Sequence, residues 1–180
     1  MSIEYWLKGD IPPGPIKAIV ISDIKRLVNT IKQYKKPLMI IGPDMVKLEK
    51  LVGENVLEKI INISSHIKAD LMVSDGNTIR KLDEVGYKNY KIMFPLESIQ
   101  KLASNTSDYD LAIFVGFHYY YGWLLLNYLK HYAYKNLSTI SLEPYAQPNS
   151  SWTLPSLPLS IWYKNLCQLE EELKASSTTT

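Results

Sequence analysis

The stretch Asp108–Tyr145, DYDLAIFVGFHYYYGWLLLNYLKHYAYKNLSTISLEPY, decides how the whole chain is read. Leu111–Val115 is an unbroken apolar run that stops at Gly116. A strand that buries both faces has no wet side to mark by alternation, so it takes this form. The apolar and aromatic segment Tyr120–Tyr134 follows at once and is long enough for about four helical turns. Thr139–Leu142 is a second short strand and ends at Glu143-Pro144. Strand, tight turn, helix and strand make a βαβ unit, which predicts parallel strands and a right-handed crossover. The turn Gly116-Phe117-His118 is then expected at the carboxyl edge of the sheet, where open α/β folds hold ligands.

Working outward, the same grammar repeats. Ser22-Asp23 supplies a cap for a helix over Ile24–Tyr34, with Ile24, Leu27, Val28 and Ile31 on one face and Lys25, Arg26 and Lys32 on the other. Pro37 stops that pattern, and Leu38–Ile41 reads as a buried strand closed by Gly42-Pro43-Asp44. Helices are expected over Met45–Val52 and Glu54–His66, broken at Gly53. Ala69–Val73 is the next strand, followed by the polar turn Ser74–Thr78, a helix over Ile79–Val85 and a strand at Tyr90–Phe94. Pro95 opens a helix over Leu96–Ala103 at its favoured first position. Tyr145–Ser160, with Pro148, Pro155 and Pro158, reads as a long extended loop of the functional kind, and Ile161–Lys174 as the last helix. The expected organisation is an extended arm over 1–21 carrying Tyr5 and Trp6, one α/β domain over 22–174, and a frayed tail over 175–180. The fold class is three-layer α/β and Rossmann-like, with a mostly parallel sheet of five to six strands and helices on both faces.

Composition limits the chemistry. A net charge of +2 is too mild to point to nucleic acid, and the basic residues are spread along helices. A single cysteine, Cys167, excludes an internal disulfide and a cysteine-only metal site within one chain, and suits a reducing cytoplasm. The opening MSIEYWLKGD lacks a secretory pattern, and no apolar run approaches the ~20 residues of a spanning helix, so a soluble cytoplasmic protein is expected. The 13 Tyr and 4 Trp against 3 Phe favour either a protein interface or a Tyr-rich core with hydroxyls at its rim.

The candidate binding residues are those of the three βα turns: Gly42, Pro43 and Asp44; Gly76, Asn77 and Thr78; Gly116, Phe117 and His118. No full GxGxxG follows any strand, and Pro43 removes one backbone donor, so a phosphate cradle is weakened there. Asp44 and Asp75 are both explained as helix caps, and His118 as a surface histidine capping a helix start. No Ser, Cys or Lys carries a nucleophile motif, so no catalytic residue is assigned and no metal ligand set is expected.

Three segments, KKPLMIIGPDMV (Lys35–Val46), DYDLAIFVGFHYYYGWLLL (Asp108–Leu126) and NLSTISLEPYAQPNSSW (Asn136–Trp152), resemble the epsilon subunits of the archaeal acetyl-CoA decarbonylase/synthase complex. These are also called carbon monoxide dehydrogenase small subunits. The likeness runs from about Ser22 to Lys174. It implies the nucleotide-binding-like fold shared by the central domains of thiamine-diphosphate enzymes and by sirtuins, with a six-stranded parallel sheet. It also implies a non-catalytic accessory subunit that partners and stabilises the CO-oxidising alpha subunit, with a suggested part in electron transfer to FAD. A homodimer through the aromatic surface is compatible with this. The other reading is a stand-alone flavin- or nicotinamide-nucleotide module using the nine turn residues.

Overall fold

The computed structural model describes residues 16–104 and 107–177, Ser177 by its backbone alone. Its elements are β1 (Ile19–Val20), α1 (Ile24–Ile31), β2 (Pro37–Ile41), α2 (Met45–Val52), α3 (Val56–His66), β3 (Asp70–Val73), α4 (Gly76–Glu84), β4 (Lys91–Ile92), α5 (Pro95–Ala103), β5 (Leu111–Val115), α6 (Tyr119–Tyr132), β6 (Ser138–Ser141), β7 (Trp152–Thr153) and α7 (Leu159–Ser177). The strands form one sheet in the order β1-β7-β6-β5-β2-β3-β4, and every pairing is parallel.

The apolar runs produce two cores because a pleated strand sends successive side chains to opposite faces. Met39, Ile41, Leu111, Ile113 and Val115 point to one face, where they meet Leu27 and Ile31 of α1, Ile60 and Ile63 of α3, and Trp162, Leu166 and Leu169 of α7. Leu38, Ile40, Ala112 and Phe114 point to the other, against Ile99 and Leu102 of α5 and Leu125, Leu126 and Leu129 of α6. Helices on both faces of a parallel sheet make the three-layer, Rossmann-like fold. Trp162 is fully buried and donates its indole N–H to the Leu142 carbonyl at 2.7 Å, which ties α7 to the end of β6.

The sheet has seven strands rather than five to six. The two that sequence reading missed are β1, at the end of the stretch expected to be an extended arm, and β7, inside the expected loop. A two-residue strand is too short to show periodicity; here tertiary contacts define it. Ile19 N–H donates to the Ser151 carbonyl and Ile21 N–H to Thr153, both at 2.9 Å, while Ser151 and Thr139 exchange side-chain-to-backbone bonds across to β6. Residues 1–15 of the arm, with Tyr5 and Trp6, and residues 178–180 of the tail lie outside the described residues.

The loop after β6 is also not what its composition suggests. Ala146, Gln147, Pro148, Asn149 and Ser150 are all buried. Gln147 Nε2 donates to the Tyr119 carbonyl and Asn149 Nδ2 to the Trp123 carbonyl, so the loop is stitched along α6, although Gln147 Oε1 is buried without a hydrogen-bond partner. Among the described residues no helix is long and apolar enough to cross a membrane.

Candidate functional site

The chain leaves β2 for β3 on one side of the sheet and leaves β5 for β6 on the other. The loops after these two adjacent strands therefore part, and the point between them is the switch point at which open α/β folds bind ligands. In this chain the two turns are interlocked. Gly42 N–H donates to the Val115 carbonyl at 2.9 Å, and Asp44 N–H donates to the Gly116 carbonyl at 2.8 Å. Gly116 has φ +82°, a left-handed conformation that a side chain would strain. A Cβ on Gly42 would run into the Gly116 carbonyl oxygen and stand 2.6 Å from Phe117 Cγ, so glycine is required there by close approach.

Behind the turns lies Glu143, which follows β6 after Leu142 and is only 3% exposed. Its Oε1 accepts the Phe117 N–H at 2.8 Å, and the Gly116 amide also bonds the carboxyl. Burial pushes this carboxyl up to about 8; the two amides pull against the shift, and the neighbouring Asp44 adds to it. Glu143 forms part of the wall of a cavity of about 680 Å³ at the carboxyl edge. Asp44, Lys47, Phe117, His118, Tyr119 and Tyr145 line it as well, with Leu48, Leu51, Pro144 and Ala146 providing apolar surface.

Of the nine turn residues singled out from sequence, Asp44, Phe117 and His118 meet at this cavity. Gly42 and Gly116 do not line it but pack against each other, and Pro43 is exposed. Gly76, Asn77 and Thr78 are elsewhere, in the first turn of α4. There Asp75 is the helix cap: its Oδ2 accepts the Thr78 N–H at 2.8 Å and the Thr78 hydroxyl at 3.0 Å. Asp44 and His118 stand at the cap positions of α2 and α6, yet neither side chain makes a capping hydrogen bond, which corrects that expectation. Both turn toward the cavity instead, where His118 packs against Tyr120 with ring centroids 4.3 Å apart.

Sequence reading passed over Glu143, treating it only as the end of a strand. The signal was present: an acidic residue set between a buried apolar strand and a proline, with no neighbouring base to pair it.

These positions do not fit a flavin or nicotinamide nucleotide held by its phosphates. The amides of Gly42, Asp44, Gly116 and Phe117 already have acceptors within the chain, and Pro43 has none to offer. Among the described residues no cluster of three or more His, Cys, Asp or Glu is placed to hold a metal ion.

Above the crevice the outer face of α6 carries Tyr120, Leu124, Tyr128 and Tyr132 at four-residue spacing. Tyr120, Leu124 and Tyr132 are exposed, and the Tyr128 and Tyr132 rings lie 4.6 Å apart. Such a row spans about 18 Å along the helix. Exposed Tyr145 and Leu51 continue the aromatic and apolar surface around the cavity mouth. Trp152, by contrast, is half-buried against Tyr34.

Fold and crevice together define a doubly wound parallel α/β protein of the nucleotide-binding type, one in which the amides of the switch-point turns are bonded within the chain. The chain belongs to the family described as CO dehydrogenase beta subunit/acetyl-CoA synthase epsilon subunit, which it matches over residues 10–170. It is 32% identical to the acetyl-CoA decarbonylase/synthase complex subunit epsilon of Methanocaldococcus jannaschii over 127 residues, covering 71% of this chain and 69% of that protein. It is 29% identical to subunit epsilon 1 of Archaeoglobus fulgidus over 143 residues, 74% of this chain and 72% of that one. With subunit epsilon of Methanothermobacter thermautotrophicus it shares 26% identity over 167 residues, 88% and 90% of the two chains.

Proposed function

We propose that this chain is a non-catalytic accessory subunit of an acetyl-CoA decarbonylase/synthase complex, and that it docks on and stabilises the CO-oxidising alpha subunit. The observation that carries the reading is the exposed row Tyr120, Leu124 and Tyr132 on α6, on a chain of a family named for a subunit of such a complex. Tyrosines dry on one side and wet on the other are the side chains that interface cores favour. A ridge at four-residue spacing takes a partner helix at a crossing near −50°. Residues of the loop after β6 contribute Tyr145 alone, since Ala146–Ser150 are already buried within the chain. A flavin seated by its phosphates on the Gly42–Asp44 and Gly116–Phe117 turns is not part of this reading, because the amides of those turns already have acceptors.

The test is native co-purification with mass identification. The wild-type chain is expected to bring down the large CO dehydrogenase subunit, and a Tyr120→Ser, Leu124→Ser, Tyr132→Ser triple variant is expected to lose it while folding normally. Undiminished recovery of the large subunit by the triple variant removes α6 from the interface. Recovery of the wild-type chain alone at native expression levels defeats the proposal.

A further inference from the structure

The carboxyl edge raises a question that family membership does not answer: why a fold with a ready-made ligand crevice has closed it. The Gly116-Phe117 turn is built as such sites are. A left-handed glycine is followed by a residue whose N–H points the same way, so two successive amides converge on one point, a geometry that binds anions in other proteins. The helix that starts next, α6, adds the positive end of its dipole. What lies at that point is an oxygen of Glu143, delivered from the end of the adjacent strand β6 at 2.8 Å from the Phe117 nitrogen.

We propose that Glu143 is a built-in ligand. Its carboxyl fills, from within the chain, the seat in which this class of fold places a phosphate, so the crevice takes no dinucleotide.

Four features support this. The seat is occupied by a side chain 97% removed from solvent, so nothing enters without expelling it. The facing turn offers no substitute, since Gly42 and Asp44 have their amides bonded to Val115 and Gly116 and residue 43 is proline. The acidic side chain of Asp44 lines the same cavity and would repel an incoming phosphate. Lys47, the one lysine of that lining, is exposed to solvent.

Removing the side chain should therefore convert a closed seat into an open one. In Glu143→Ala the missing fragment is close in size and chemistry to acetate. The experiment follows thermal unfolding of wild-type, Glu143→Gln and Glu143→Ala chains against acetate, with chloride at matched ionic strength as control, and against FAD, NAD and ADP. Glu143→Gln keeps an acceptor oxygen in the seat and serves as the closed reference.

The wild-type and Gln chains are expected to show no specific response to acetate or to any nucleotide. The Ala chain is expected to be less stable and to regain about 3–6 °C, saturably, at tenfold excess of acetate over its dissociation constant. If the Ala chain does not fold unaided, the readout becomes its yield on refolding, which acetate and not chloride should raise. Saturable stabilisation of the wild-type chain by any of the three nucleotides overturns the proposal. So does an acetate response, or a refolding yield, in the Ala chain no greater than with chloride. None of these outcomes bears on co-purification, so this inference and the docking reading stand or fall separately.

Discussion

Replacing Glu143 by glutamine should flatten the acid-to-neutral stability profile of the protein. The Glu143 carboxyl keeps its proton in the folded chain up to about 8, against an ordinary value of 4.5 once unfolded. Between those two values the native state holds a proton that the unfolded state has released, so stability falls as pH rises through this window and levels off above it. At 1.36 kcal/mol per pH unit, the loss across the window is on the order of 5 kcal/mol. That is a large fraction of the total stability of a domain this size. Glutamine occupies the same volume, keeps an oxygen for the Phe117 amide and does not titrate.

Asp70, held below the ordinary carboxylate range by Lys91 and Tyr109, and Glu170, held down against burial by Lys59 and Asn62, lose their contributions at pH values below the window. Guanidinium unfolding followed by far-UV circular dichroism at pH 5, 6, 7 and 8 measures the slope directly. The wild-type chain should lose stability across the series while the Gln variant stays level. Parallel profiles would refute the claim that this carboxyl is dry and protonated in the native state.

Other substitutions probe the same frame. Gly42→Ala drives a methyl group into the Gly116 carbonyl and Phe117 ring and should cost about 3 kcal/mol in chemical denaturation, whereas an ordinary surface Gly→Ala change costs little or stabilises. Trp162→Phe leaves the Leu142 carbonyl without its donor in a dry core, and a loss of roughly 2 kcal/mol is expected by the same measurement. Asp75→Ala removes a working helix cap and should cost about 1 kcal/mol. Asp44→Ala, at a cap position where the side chain makes no capping bond, should leave stability nearly unchanged.

How far the sequence could be read depended on whether each feature is local. β2, β3 and β5 were legible because a strand covered on both faces has to be apolar throughout, and that requirement is written in consecutive residues. The same holds for the helix over Pro95–Ala103, which the proline opens. β1 and β7 were not legible, since two residues hold no period and their pairing comes from Ser151, Thr139 and Thr153 elsewhere in the fold. Ala146–Ser150 misled for a related reason: Gln147 and Asn149 imply solvent until their partners on α6 are known. At the candidate site, the glycine-ended strands located the edge correctly, and Asp44, Phe117 and His118 do share a cavity. What could not be read was that Glu143, far along the chain from Gly116, arrives at the amides of that turn. Nor could spacing show that the Gly76–Thr78 turn belongs to a different part of the edge.

The pairing of β1 with β7 bears on how the protein is made. Ile19 is synthesised well before its partner Trp152, with β2 to β6 coming between them. Until then the N-terminal strand has no neighbour to bond, and the flank of β6 that β7 will cover lies open. The nascent chain therefore carries an unfinished sheet border while β2 to β6 are being made, a period when a growing polypeptide is exposed to wrong pairing with other copies.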